Sequence, residues 1–119
     1  MKIWAIDIDG VITANPDFFK WLTFHLKKKL NNNKVYIVTS RNPERYKETI
    51  IELEHWGIRY DELCFMPKEL TRDNRTQGNW KKDTVQALNA DIWFDNDFKW
   101  YERECKIDFS DLNCERIEI

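Results

Sequence analysis

The sequence predicts an α/β protein: a parallel sheet of about five strands with helices on both faces, forming one domain over residues 1–119. Three observations carry that expectation. Short apolar runs alternate with longer stretches of helical spacing through short links, the pattern of a sheet wound with helical crossovers. Each of the main runs breaks into polar residues at its carboxyl end, at Asp7 and Asp9, at Thr39, and at Asp95 and Asp97. Ligands bind at that edge in open parallel sheets. Finally, 42% hydrophobic residues, with 14% aromatic, suffice for one packed core in 119 residues.

The first run, Lys2 to Ile8, reads as a buried strand ending in two carboxylates and Gly10. Side chains two apart on a strand share a face, so Asp7 and Asp9 are expected to project together. Their mutual repulsion calls for a divalent cation, and oxygen-only donors suit magnesium. Asn15, Pro16 and Asp17 then read as cap, first helical residue and dipole-complementing acid. The helix they open runs to Leu30, with Phe18, Trp21, Leu22, His25 and Leu26 at helical spacing, and Lys27-Lys28-Lys29 as a solvated last turn. Lys34 to Thr39 is the second strand, followed by Ser40 and Arg41. Asn42-Pro43-Glu44 repeats the cap signature for a helix ending near Trp56 and Gly57, with Tyr46, Ile50, Leu53 and Trp56 as its inner stripe. Leu63 to Met66 is the third strand. Lys68 to Asn79 reads as an irregular polar loop, Trp80 to Leu88 as the third helix, and Ile92 to Phe94 as the fourth strand. Phe98 to Glu104 reads as a helical turn or two and Cys105 to Ile107 as a short edge strand.

Charge narrows the function classes. Nineteen basic residues against twenty-one acidic ones give a net charge of −2, which argues against a generally basic nucleic-acid surface and leaves room only for a local patch. The three cysteines, without metal-ligand spacing, favour reduced thiols. No run is long enough to cross a bilayer and no leader is evident, so a soluble, cytoplasmic protein with no membrane partner is expected.

Asp7-Ile8-Asp9-Gly10-Val11, then Thr39, then a lysine near a helix start, then an acidic strand end resembles, in that order, the haloacid dehalogenase superfamily, from about Lys2 to Asp97. The resemblance implies a Rossmann-like fold, a magnesium ion, and hydrolysis of phosphomonoesters through an aspartyl phosphate. By it, Asp7 is nucleophile and metal ligand. Asp9 is general acid and base, its main-chain carbonyl also on the metal, and Thr39 holds the phosphoryl group. Lys81, or Lys82 one residue later, balances charge, and Asp95 is the remaining metal ligand. Gly10, Ser40 and Arg41 join Thr39 as candidate substrate contacts. To donate a proton, Asp9 needs a pKa raised by roughly 2 to 3 units, a shift expected from neighbouring negative charge.

Many relatives carry two adjacent acids where this chain has Asp95-Asn96-Asp97, so Asn96 or Asp97 must fill the second role. The intervals after Asp9 and Met66 leave no room for a separate cap domain. The expected substrate is therefore a phosphate on a nucleotide or a polynucleotide end reached through an open site. A sugar phosphate, or a non-catalytic phosphate-binding module, is the alternative. A receiver-like signalling domain fits less well, because the strand ends where its phosphorylated aspartate would be expected carry Thr39 and Pro67.

Overall fold

In the computed structural model, which describes residues 1–119, five parallel strands form one sheet. They are β1 (Ile3–Ile6), β2 (Lys34–Thr39), β3 (Glu62–Phe65), β4 (Ile92–Asp95) and β5 (Glu115–Glu118), in the order β3-β2-β1-β4-β5. The chain winds outward from β1 to β3, then returns to the other side of β1 to lay down β4. The strand order therefore reverses between β1 and β4, which opens a crevice at their carboxyl ends. Ile6 pairs with Ile37 on one side and Phe94 on the other, so Asp7 and Asp95 leave the sheet at the same level.

Helices α1 (Pro16–Leu26) and α2 (Tyr46–His55) cover one face, and α3 (Asn74–Ala87) and α4 (Phe98–Glu104) the other. Ile6, Ile37 and Phe94 pack with Phe19 and Leu26 of α1 and Leu53 of α2. Ala5, Val38 and Trp93 point the opposite way, onto Val85 of α3 and Phe98 and Tyr101 of α4. No cap domain is inserted, and no helix is long and apolar enough to cross a membrane. All three cysteines are free thiols.

Four elements differ from the sequence reading, each for a physical reason. Helix α1 stops at Leu26, because Lys27 turns back to donate to the Asn33 carbonyl and pair with Asp61. Its buried residues are Phe19, Thr23 and Leu26, so Phe18, Trp21 and Phe24 face solvent. In α2 the inward residues are Thr49 and Leu53, while Tyr46 is exposed. Helix α3 begins six residues before Trp80, where the Asp73 carboxylate accepts from Thr76 N. Its inner face is Gly78, Lys81 and Val85, so there is little apolar period to detect. The edge strand is Glu115–Glu118, not Cys105–Ile107; the latter segment is coil whose Cys105 and Ile107 plug the second core.

Candidate functional site

Strand β1 ends at Ile6, and the next residues do not stay extended. Asp7 is still extended, but Ile8–Ile12 wind into a tight coil interrupted at Asp9 and Gly10, where Gly10 takes a φ of 82°. The two carboxylates take different partners, Lys81 for Asp7 and Arg41 for Asp9. Asp7 is buried, whereas the Asp9 side chain is 58% exposed.

Asp7 meets Asp95 through one cation. Lys81 Nζ donates to Asp7 Oδ2 at 3.2 Å and to Asp95 Oδ2 at 3.0 Å, with all three side chains at most 5% exposed. One ammonium between two buried carboxylates leaves a buried excess of negative charge. Burial pushes the Asp7 carboxyl up to about 7, against the pull of Lys81 and with help from Asp95. Burial alone would lower the Lys81 ammonium, but Asp7 and Asp95 hold it well above the usual lysine range. Lys82, the alternative, points elsewhere, to the Asp108 carbonyl and the Asp111 carboxylate.

Asp9 belongs to a second cluster. Arg41 Nε and Nη2 donate to its two carboxylate oxygens at 3.0 and 2.9 Å, while Nη2 also reaches Glu52 and Nη1 reaches Thr49 Oγ1. The hydrogen bonds from Arg41 hold the Asp9 carboxyl below the usual range, against the effect of burial. This reverses the upward shift expected from the sequence, because the nearest charge is a guanidinium and not a carboxylate. Arg41 is itself buried and tethered on every side rather than free to meet a substrate. Sequence reasoning misses Glu52 and Thr49, because they lie on a helix whose spacing speaks only of packing.

Thr39, at the end of β2, is buried, and its Oγ1 accepts from Arg41 N at 3.2 Å, which leaves the hydroxyl proton available. Ser40 is half-buried in the loop beside it. After β4, Asp97 N donates to Asp95 Oδ1, and the Asp97 carboxyl is raised by burial and by Asp95. Asp97 precedes α4 without capping it through its side chain. The Asn96 Oδ1 is buried without a hydrogen-bond partner, and its side chain lies against Gly10, where a Cβ would collide with the amide. Of the loop cations, Arg72 is spent on the carbonyls of Met66, Pro67 and Leu70, and Trp80 packs against the second core.

Two carboxylates at one rim, an excess negative charge and an orphaned amide oxygen form a donor set of hard oxygens that fits magnesium. No three His, Cys, Asp or Glu side chains converge as a ready-made cage. Magnesium does not require one, since it is bound through one or two carboxylates with the rest of its shell from water and phosphate. Asp7 and Asp95 would hold it.

No family model matches the chain, and neither does any curated protein. Among solved structures it is similar to a chain in the structure of the Pnkp1/Rnl/Hen1 RNA repair complex, with a TM-score of 0.72 and 16% identity over 99% of this chain and 42% of that one. A chain from another structure of the Pnkp1/Rnl/Hen1 complex matches with a TM-score of 0.65 and 16% identity, over 99% of this chain and 45% of that one. The chain thus spans less than half the length of the solved chains it matches, and the likeness shows the fold. These findings correct the sequence resemblance to the haloacid dehalogenase superfamily: no model of that family matches, and the similar solved chains come from structures of the Pnkp1/Rnl/Hen1 complex.

Proposed function

We propose that the chain is a magnesium-dependent phosphomonoester hydrolase in which Asp7 is the nucleophile and the substrate is the phosphorylated end of a polynucleotide. The observation that carries this reading is the buried Asp7–Lys81–Asp95 cluster, one cation short of neutrality at the crevice of the sheet. A bound magnesium would supply the missing charge and draw the phosphate toward Asp7. Every other role falls to side chains of this chain. The Asp7 carboxylate attacks phosphorus, forming an aspartyl phosphate as the ester P–O bond breaks. Water then attacks phosphorus and releases inorganic phosphate, restoring Asp7. Lys81 holds its position beside the reacting carboxylate and offsets charge, and the Thr39 hydroxyl donates to a phosphoryl oxygen.

Asp9 is the candidate proton donor to the leaving oxygen, but only once its clasp with Arg41 opens, because that contact stabilises the carboxylate. The polynucleotide end is favoured over a small sugar phosphate for two reasons. No cap domain is inserted over the carboxyl ends of the strands, so nothing in this chain encloses the rim against a large substrate. The similar solved chains also come from an RNA repair complex.

The test is release of inorganic phosphate, with and without magnesium, from 3′- and 5′-phosphorylated oligonucleotides, nucleotides and sugar phosphates. Magnesium-dependent release from an oligonucleotide end, abolished in a folded Asp7→Asn protein, is expected. Inactivity across the whole panel would favour a non-catalytic phosphate-binding module.

A further inference from the structure

The largest cavity of the molecule is not at the carboxylate rim. It is a groove of about 620 Å³ between α1 and the end of α2, lined by Lys20, Trp21 and Phe24 on one side and Glu54, Ile58 and Arg59 on the other. Three aromatic side chains along α1 are exposed: Phe18 by 39%, Trp21 by 57% and Phe24 by 42%. They form a connected strip, Phe18 to Trp21 at 6.2 Å between ring centroids and Trp21 to His25 at 4.7 Å. Two cations already lie over the Phe24 ring, Arg59 at 4.7 Å and Lys28 at 5.6 Å. Beyond the last turn of α1 a smaller cavity of about 250 Å³ is lined by Lys27, Lys28, Lys29 and Lys34.

Six cationic residues line the two cavities against two acidic ones, Asp17 and Glu54, and only Lys27 of the six is engaged in an ion pair, with Asp61. The strip is thus locally positive on a chain whose net charge is −2. Exposed aromatic rings beside lysines without an acidic partner are what a single-stranded nucleic acid requires, with bases stacking on rings and phosphates on cations. A protein partner fits less well, because lysine is depleted in protein–protein interfaces. We infer that the α1 face, from Phe18 to the Lys27–Lys29 cluster, is a binding surface for single-stranded nucleic acid. It is set apart from the Asp7 crevice, so binding there does not depend on the chemistry proposed for Asp7.

Fluorescence anisotropy of a dye-labelled single-stranded oligoribonucleotide with hydroxyls at both ends tests this without engaging a phosphate site. The wild-type chain should bind, and binding should weaken with salt. The exposed-residue double variant Trp21→Ala/Phe24→Ala should bind at least about tenfold more weakly, the scale of one base stack. The double variant Lys28→Ala/Lys29→Ala should lower the slope of log K against log salt by about 0.7 for each phosphate it no longer neutralises. Arg59→Glu serves as an independent variant should the aromatic pair fold poorly, and it too should weaken binding. Phosphate release from an aryl phosphate should be the same in all of them. Affinity unchanged in the variants, absence of binding at low salt, or equal competition by a duplex of the same sequence would overturn the inference. So would a dimer in sedimentation that Trp21→Ala dissolves, which would make the strip a contact between copies of this chain.

Discussion

Two clusters at the same rim have the same stoichiometry, one cation between two carboxylates, and opposite electrostatics. In Asp7–Lys81–Asp95 all three side chains are buried, and desolvation wins: Asp7 is raised to about 7. In Asp9–Arg41–Glu52 the cation is buried but the carboxylates reach water, with 58% of Asp9 and 29% of Glu52 exposed, and the hydrogen bonds win: Asp9 is lowered. Counting charges therefore does not say what a charged cluster does. Burial decides whether the excess charge is dispersed into solvent or taken up by a proton, and a bound cation can replace that proton.

The comparison is broken most forcefully at Lys81. Lys81→Met leaves two buried carboxylates with no counter-charge, and stability to urea should fall by about 3–5 kcal/mol. Asp7→Asn, by contrast, leaves one carboxylate to one ammonium and should cost little or stabilise. A Lys81→Met protein as stable as the wild type would mean that the buried excess is not real.

Acid and magnesium test the same buried excess. With its pKa raised from 3.8 to about 7, Asp7 holds a proton in the folded chain that the unfolded chain has already lost. Below the unfolded value both states are protonated and the group contributes nothing. Between the two values the folded chain binds more protons, so stability falls as pH rises, and the loss is complete above about 7. Urea unfolding in the presence of a chelator should show this decline, magnesium should flatten it, and Asp7→Asn should remove it. A wild-type curve that rises through this window would rule out the buried excess.

Much of this arrangement was legible in the sequence. The strand ends at Asp7, Thr39 and Asp95 were visible because apolar runs break there, and the parallel sheet followed from the alternation. Lys81 entered only through the resemblance, with Lys82 left open beside it, and α3 itself was largely invisible because its inner face is Gly78, Lys81 and Val85. Hidden too was the end of β1 at Ile6, before either carboxylate, since an apolar run shows where a strand can exist and not where it stops. The Arg41 clasp joins residues thirty-two apart with no periodic signature. The exposure of the α1 aromatics was hidden as well: helical spacing places Phe18 and Trp21 on the helix without saying which face turns inward, and Phe19, Thr23 and Leu26 fill that role.

The joint between the two clusters is Gly10. Its φ of 82° disfavours any side chain, and a Cβ there would strike the Asn96 amide. Gly10→Ala should therefore lose about 1–3 kcal/mol of stability. It should also reduce magnesium-dependent phosphate release more than magnesium-independent properties, because Asn96 sits beside Asp95. Loss of stability with unchanged magnesium dependence would remove Asn96 from the cation site.

The smallest effect on stability is expected at Asp9. Its pair with Arg41 is half in water, and Arg41 keeps Glu52 and Thr49 when Asp9 is neutralised, so Asp9→Asn should change stability by less than about 1 kcal/mol. Turnover should behave differently. If Asp9 leaves its clasp to protonate the departing oxygen, Asp9→Asn should slow release from an oligonucleotide end by about 10²–10⁴-fold. An aryl phosphate, whose leaving group departs without a proton, should be slowed far less. Equal slowing of both substrates would assign Asp9 to holding Arg41 rather than to proton transfer, and the two clusters would then differ in burial but not in chemical role.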